Sequence, residues 1–161
     1  MAKRYSPIRL KLSRMIVGDS DSRLRSIEPC QLTDATHIGL LFTVESAVDM
    51  DNALKAYNLL TQINPKVSAF GYIADGRSDY QHQSMFSFFG DRDFDLLYRP
   101  KTEKLKLLRE TPFDVLIDLN SADYYPIRLL LYKCKAHFRV GKYANNQPYD
   151  LMISIGNNSS I

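Results

Sequence analysis

Two polar residues stand where an apolar run gives way to a helix, and their position suggests chemistry. Asp118 lies near the end of the run 113–119, FDVLIDL, and Asn120 follows it. Open α/β sheets bind ligands beside the carboxyl ends of their strands, where a carboxylate acts as a base or binds a hydroxyl. The alternative role is structural, with Asp118 capping the next helix or accepting hydrogen bonds from the loop Asn120-Ser121. We take Asp118 and Asn120 as candidate ligand-binding residues.

Three acids in the segment GDRDFD, residues 90–95, resemble the D-x-D pair that holds a divalent cation in many sugar-nucleotide transferases. The same segment also fits a plain turn, in which Arg92 neutralises its neighbours. Cys134 and His137 do not have zinc-ligand spacing, and Cys134 fits a small buried hydrophobe. The sequence therefore assigns no catalytic residue, no metal site and no cofactor.

Residues 1–18 form a basic arm. They carry a charge of +5 and no acid, whereas the whole chain carries +3, which leaves −2 for the remainder. Such an arm fits RNA, anionic lipid or an acidic protein surface, or it is simply a solvated helix or edge strand. RNA or a ribonucleoprotein is the partner that we expect, and five residues are candidates for nucleic-acid binding: Lys3, Arg4, Arg9, Lys11 and Arg14.

The elements that would position these residues form two strand–helix–strand units. The first unit has strands over 37–44 and 66–74, with a helix over 53–63 that Asn52 caps. In the second, the run 113–119 precedes a helix over 127–135 with Pro126 in its first turn, and a strand follows over 136–140. Parallel strands joined by crossover helices indicate a layered α/β domain.

The remaining segments complete the predicted domain. Further strands are expected over 85–89, 94–98 and 149–155, together with a helix over 102–110 that Thr102 caps. We predict a single three-layer, Rossmann-like α/β domain with a mostly parallel sheet over residues 37–161, preceded by an arm and covering segment over 1–36. The spacing of the apolar residues around 8–16 fits either a helix or a strand.

The first strand–helix junction, residues 43–49, has no glycine and contains Glu45 and Asp49. Phosphate-binding loops need glycines that let backbone N–H groups approach the anion, so the usual mode of nucleotide binding is not expected here. Two cysteines are too few for a disulfide framework, which favours a reducing, cytoplasmic setting. No apolar run reaches the roughly 20 residues of a membrane span. The aromatic run 85–89 is a possible homo-oligomer interface.

Three segments carry a family resemblance: 113–119, FDVLIDL; 136–141, AHFRVG; and 149–153, YDLMI. They resemble a family of small uncharacterised proteins from Bacteroidota, a domain of unknown function, and this resemblance implies a fold but no chemistry. A weaker similarity to the N-terminal half of heptosyltransferase-like glycosyltransferases implies a lone half-domain that binds rather than catalyses. The sequence thus predicts a non-catalytic binding or adaptor module. The alternative is a degenerate glycosyltransferase-like protein or a small-ligand enzyme with its site near Asp118.

Overall fold

The computed structural model describes residues 6–17, 26–73, 84–120, 123–145 and 148–154. Ten elements follow one another along the chain: α1 (Pro7–Val17), β1 (Ile38–Val44), α2 (Ala47–Ile63), β2 (Val67–Ile73), β3 (Phe86–Phe89), α3 (Glu103–Glu110), β4 (Val115–Asp118), α4 (Tyr125–Lys133), β5 (Phe138–Lys142) and β6 (Leu151–Ile153). The predicted polar loop over 77–83 lies outside the described residues.

All six strands form one sheet in the order β3-β2-β1-β4-β5-β6, and every pairing between neighbours is parallel. The chain starts in the middle of the sheet, builds outward to one edge, and then returns to build the other half. This arrangement confirms the predicted α/β class and the Rossmann-like fold, and the sheet is entirely parallel among the described strands.

The alternation of side chains along the strands divides the core into two layers. Ile38, Leu40, Phe42 and Val44 of β1 share one buried cluster with residues of α2. Leu41 belongs to the other cluster, together with residues of α3 and α4. Successive side chains of a strand point to opposite faces of the sheet, so α2 covers one face while α3 and α4 cover the other.

Several predicted elements are confirmed with small shifts of their ends, and the N-terminal segment is resolved in favour of a helix, α1. The strand predicted over 94–98 is wrong. Phe94 makes only an isolated bridge to Pro100, and the Asp95 carboxylate accepts hydrogen bonds from the Leu97 and Arg99 N–H groups, which hold the segment as a turn. A β-ladder cannot form while those donors point inward to one carboxylate.

The start of α2 also differs from the prediction. The helix begins at Ala47, five residues before the expected N-cap Asn52, because Ser46 and Asp49 form a capping box. In that box the Asp49 carboxylate accepts from the Ser46 N–H at 2.8 Å, and the Asp49 N–H donates to the Ser46 hydroxyl at 3.3 Å.

Two further predictions concern buried side chains. Cys134 is buried as expected of a small hydrophobe, and both cysteines are free thiols. In the aromatic run 85–89, Phe86 and Phe89 belong to the two core clusters rather than to the surface. Among the described residues, no helix is both long and apolar enough to cross a bilayer.

Candidate functional site

The carboxyl group of Asp118 is the centre of the candidate site. It lies at the carboxyl end of β4, and the residue is only 4% exposed. One oxygen, Oδ1, accepts from the Asn120 N–H at 2.9 Å and from the Asn120 side-chain amide. The other, Oδ2, accepts from the Tyr149 hydroxyl at 2.7 Å. Both carboxyl oxygens therefore have protein partners, which is what a buried carboxyl requires.

Burial raises the pKa of the Asp118 carboxyl to about 6, although the hydrogen bonds from Tyr149 and Asn120 favour the ionised form. The pKa of the Tyr149 hydroxyl is also raised, by its own burial and then by the neighbouring Asp118 charge. Tyr149 is therefore a fixed donor, whereas Asp118 changes its protonation state close to neutral pH. Of the two groups, only the carboxyl can exchange a proton in that range.

The backbone positions Tyr149 through the segment that joins β5 to β6. The Arg139 N–H donates to the Asp150 carboxylate at 2.7 Å, and the Asp150 N–H donates to the Arg139 carbonyl at 2.9 Å. The Tyr149 ring lies directly on Gly141 of β5, where an added Cβ would be 2.4 Å from the ring carbon Cζ. Only glycine leaves room for this ring, so Gly141 is required for the contact between Tyr149 and Asp118.

A second set of hydrogen bonds connects the site to β1. The Thr43 hydroxyl donates to the Asn120 side-chain carbonyl, and the Tyr124 hydroxyl donates to the Glu45 carboxylate. Both bonds cross from the end of β1 to the residues that follow β4. The strand order reverses between these two strands, and dinucleotide-binding sheets place the cofactor in the crevice at that point. Here protein side chains span the crevice.

The candidate pocket lies beside the ends of β4 and β5, one strand position away from the crevice between β1 and β4. A pocket of about 210 Å³ is bounded by the β4–α4 connection, one side of α4 and the residues after β5. Its wall includes eight polar side chains: Asp118, Asn120, Asp123, Tyr124, Arg128, Lys142, Tyr143 and Tyr149. The Arg128 guanidinium also pairs with the Asp123 carboxylate at 2.8 Å. The pocket thus combines hydrogen-bonding groups, aromatic rings and two cations.

The predicted ligand-binding residues Asp118 and Asn120 are brought together by the structure, and both line this pocket. The bond from Asn120 to Asp118 also fulfils the alternative structural role predicted for the carboxylate. Sequence reasoning missed Tyr149 and Thr43. Tyr149 falls in a segment predicted as strand, and the only available signal was its place in the motif YDLMI.

The three acids of the segment 90–95 do not join this site. The Tyr72 hydroxyl donates to Asp91, Lys104 pairs with Asp93 at 3.2 Å, and Arg99 pairs with Asp95 at 2.7 Å. Asp91 follows β3, which lies three strand positions from β4, a separation of about 14 Å. Within the described ranges, no group of three or more His, Cys, Asp or Glu residues could hold a metal ion.

The candidate nucleic-acid-binding residues are spread along and before α1. Lys3 and Arg4 lie outside the described residues. The Arg9 guanidinium is held against the protein, where it donates to the Leu96 carbonyl at 2.8 Å and lies 4.1 Å from the centre of the Tyr98 ring. Lys11 and Arg14 are exposed, and the Arg14 guanidinium lies 5.6 Å from the centre of the Tyr125 ring. Of the three described members, Arg9 and Arg14 therefore contact aromatic rings of the domain.

Comparison with known proteins gives one match. A search of the curated proteins and a search of the solved structures each found no match, so the expected similarity to glycosyltransferases is not shown. The expectation of a domain of unknown function is confirmed, since a family model matches nearly the whole chain. The chain belongs to the family of unknown function DUF6913, whose model matches residues 16–161.

Proposed function

We propose that this protein binds a small hydroxylated ligand of about monosaccharide size in the pocket beside Asp118. The observation that carries the proposal is a buried carboxyl at a strand end, with a pKa of about 6, in the wall of a pocket of about 210 Å³. Perturbed carboxyls in clefts at the carboxyl edge of a parallel sheet are common features of ligand sites. Pockets for drug-sized ligands begin at about 300 Å³, so this volume suits a smaller molecule.

The polar groups favour hydroxyls as the recognised chemistry. Asp118 and Asn120 form a connected pair that can accept from and donate to vicinal hydroxyl groups. Tyr124 and Tyr149 supply aromatic walls on which the apolar face of a ring can pack. A hydrocarbon ligand could not use the lone pairs that Asp118 Oδ2 and the Tyr124 and Tyr149 hydroxyl oxygens keep beside their protein partners.

Two cations favour a ligand that also carries an acidic substituent: Lys142, and Arg128 through the guanidinium N–H groups that its pairing with Asp123 does not use. Arg128 and Lys142 both line the pocket, on α4 and at the end of β5. Charge-assisted hydrogen bonds to a phosphate or carboxylate are about twice as strong as neutral ones. A phosphorylated monosaccharide is therefore expected to bind better than the corresponding neutral sugar.

The experiment is a ligand-detected NMR screen of neutral and phosphorylated pentoses and hexoses against the purified protein. Binding of a phosphorylated sugar should weaken at least about tenfold in Asp118→Asn, because a charged hydrogen bond contributes about 1.5–3 kcal/mol. Asp51→Asn, an exposed carboxylate on α2, is the matched control and should leave binding unchanged. If no sugar binds, or if Asp118→Asn binds as tightly as the wild type, the proposal fails.

A second candidate is an enzyme that uses the same pocket. It is favoured by one observation, the Asp118 pKa of about 6, since a general acid or base works best when its pKa is near the ambient pH. Repeated NMR spectra of the bound sugar over hours distinguish the two candidates. Conversion that disappears in Asp118→Asn would indicate catalysis, whereas an unchanged spectrum supports a binding module.

Association with RNA or a ribonucleoprotein through the basic arm is less well supported. Arg9 already uses its guanidinium within the protein, and the outward side of α1 carries large apolar residues. Protein surfaces that bind nucleic acids instead present cations to the phosphates. Salt-dependent co-sedimentation with ribosomes, with and without residues 1–18, tests this interpretation.

A further inference from the structure

Helix α1 is docked on the domain through its polar side. The buried Ser13 hydroxyl donates to the Leu97 carbonyl at 2.8 Å and accepts from the Tyr125 hydroxyl at 3.1 Å. Arg9 donates to the carbonyls of Asp95 and Leu96 and stacks on Tyr98. Leu10 adds the apolar contact to a small cluster formed by Tyr98, Tyr125 and Leu129. The inward side of α1 is thus defined mainly by hydrogen bonds.

The outward side of the same helix is apolar. Ile8 is 74% exposed, Leu12 46% and Met15 74%. These residues are spaced at i, i+4 and i+7, so they lie on one side of the helix and form a continuous stripe. A surface helix ordinarily buries its apolar side and exposes its polar side, and over residues 7–15, whose side chains the structure describes, α1 does the reverse. The exposed stripe therefore marks a surface that a partner covers.

The charge around the stripe restricts the partner. Lys11 and Arg14 are exposed on the same helix, and residues 1–18 contain five basic residues and no acid. A second copy of the chain docked through this stripe would bring two such segments together, and their like charges would oppose the contact. The partner must offer apolar contact and negative charge together.

We propose that α1 docks the protein on the surface of a bilayer that contains anionic lipid. A single exposed helix is convex, and a planar interface allows the whole stripe to enter the boundary of the acyl chains while lysine and arginine reach the headgroups. Leu96, which is 78% exposed in the turn that holds Arg9, lies beside the helix and can add to the inserted surface. Each basic residue near such a surface strengthens binding about fivefold.

The test is co-sedimentation of the full chain with vesicles. One preparation contains phosphatidylcholine alone, and the other contains phosphatidylcholine and phosphatidylserine in equal parts. We expect binding to the anionic vesicles only, and a loss of at least about tenfold in the triple variant Ile8→Ser, Leu12→Ser, Met15→Ser. The matched control, Leu59→Ser with Leu107→Ser, removes exposed apolar residues of α2 and α3 and should bind as the wild type does.

A second variant, Lys11→Glu with Arg14→Glu, should also lose binding, and circular dichroism should show that every variant remains folded. The proposal is overturned if the wild type does not bind anionic vesicles. It is equally overturned if the triple serine variant binds as well as the wild type, since charge alone would then suffice. If the true partner is an acidic protein, the wild type will not bind anionic vesicles.

Discussion

At the scale of single residues, Asp118 reduces stability at neutral pH because its ionised form is desolvated. Three hydrogen-bond donors from Tyr149 and Asn120 recover part of that loss, but the pKa remains near 6. A group that served stability alone would be an asparagine at this position, since an amide can use its carbonyl for the Asn120 N–H and its N–H₂ for the Tyr149 oxygen. The retention of a carboxyl is consistent with a role in binding.

This reasoning predicts the pH dependence of stability. Between the unfolded pKa near 4 and the folded pKa near 6, the native state keeps the Asp118 proton while the unfolded state releases it. The stabilising contribution is therefore complete below about pH 4 and is lost as the pH rises through 6, a change of about 3 kcal/mol. Urea unfolding at several pH values should show this decline in wild type relative to Asp118→Asn.

The difference in unfolding free energy between wild type and Asp118→Asn separates the contribution of Asp118 from that of groups with the opposite pH dependence. The pKa of Asp114 is lowered, mainly by the Thr36 hydroxyl, so Asp114 makes the fold less stable as the pH falls. That effect is common to wild type and variant and cancels in the comparison. Two stability curves that run parallel from pH 4 to pH 7 would show that Asp118 titrates normally.

The sequence indicated Asp118 and Asn120 because both belong to one local pattern, the end of an apolar strand. It could not indicate their partners, because Tyr149 is 31 residues from Asp118 and Thr43 is 77 residues from Asn120. Contacts of this kind depend on the strand order. They become predictable only once β1, β4 and β5 are known to be neighbours.

At the scale of elements, the observed N-caps of α2 and α3 differ in their chemistry, and of the two only Thr102 was predicted from the sequence. Ser46 makes a capping bond to the Asp49 N–H at the start of α2, whereas Thr102 stands at the N-cap of α3 and makes no such side-chain bond. Helical periodicity located the body of α2, but the cap at Ser46 starts the helix six residues before the predicted residue 53, in a first turn where the apolar Val48 is exposed and does not follow the inward-facing pattern.

The two caps provide a matched pair of substitutions. Ser46→Ala should lower the free energy of unfolding by about 1 kcal/mol, because one N–H of the first turn loses its acceptor. Thr102→Ala should be nearly neutral, since its buried hydroxyl makes no hydrogen bond among the described atoms. Chemical denaturation of both variants checks this, and equal losses would mean that the capping bond of Ser46 contributes nothing.

The turn at residues 95–99 shows why a short aromatic run can be misassigned. Phe94 to Tyr98 has the composition of a strand, but Tyr98 adopts a φ of 61°, which a β-ladder does not allow. The turn directs the Tyr98 ring onto Arg9 and Tyr125. The conformation is unfavourable for a bulky residue, and the contacts with α1 and α4 stabilise it.

At the scale of the whole molecule, the two strand–helix–strand units were visible in the sequence because each is local. Their pairing through the central strands β1 and β4 was not visible, since four other elements, α2, β2, β3 and α3, separate these strands along the chain. The same pairing brings the ends of β1 and β4 together. The fold class was therefore predictable, while the closed crevice between Glu45 and Tyr124 was not.

The place of α1 in this architecture leads to a final prediction. Among the side chains that the structure describes, the two large core clusters on the faces of the sheet contain no residue of α1, and Leu10 packs against the small third cluster. Removal of residues 1–17 should therefore leave one cooperative unfolding transition, with stability lowered by about 1–3 kcal/mol for the lost Leu10 contact and the bonds of Arg9 and Ser13. Far-ultraviolet circular dichroism in urea follows the transition, since the chain has no tryptophan. The double variant Arg9→Ala, Ser13→Ala should lose less, because Leu10 remains. A truncated protein that unfolds without cooperativity would show instead that α1 belongs to the core of the domain.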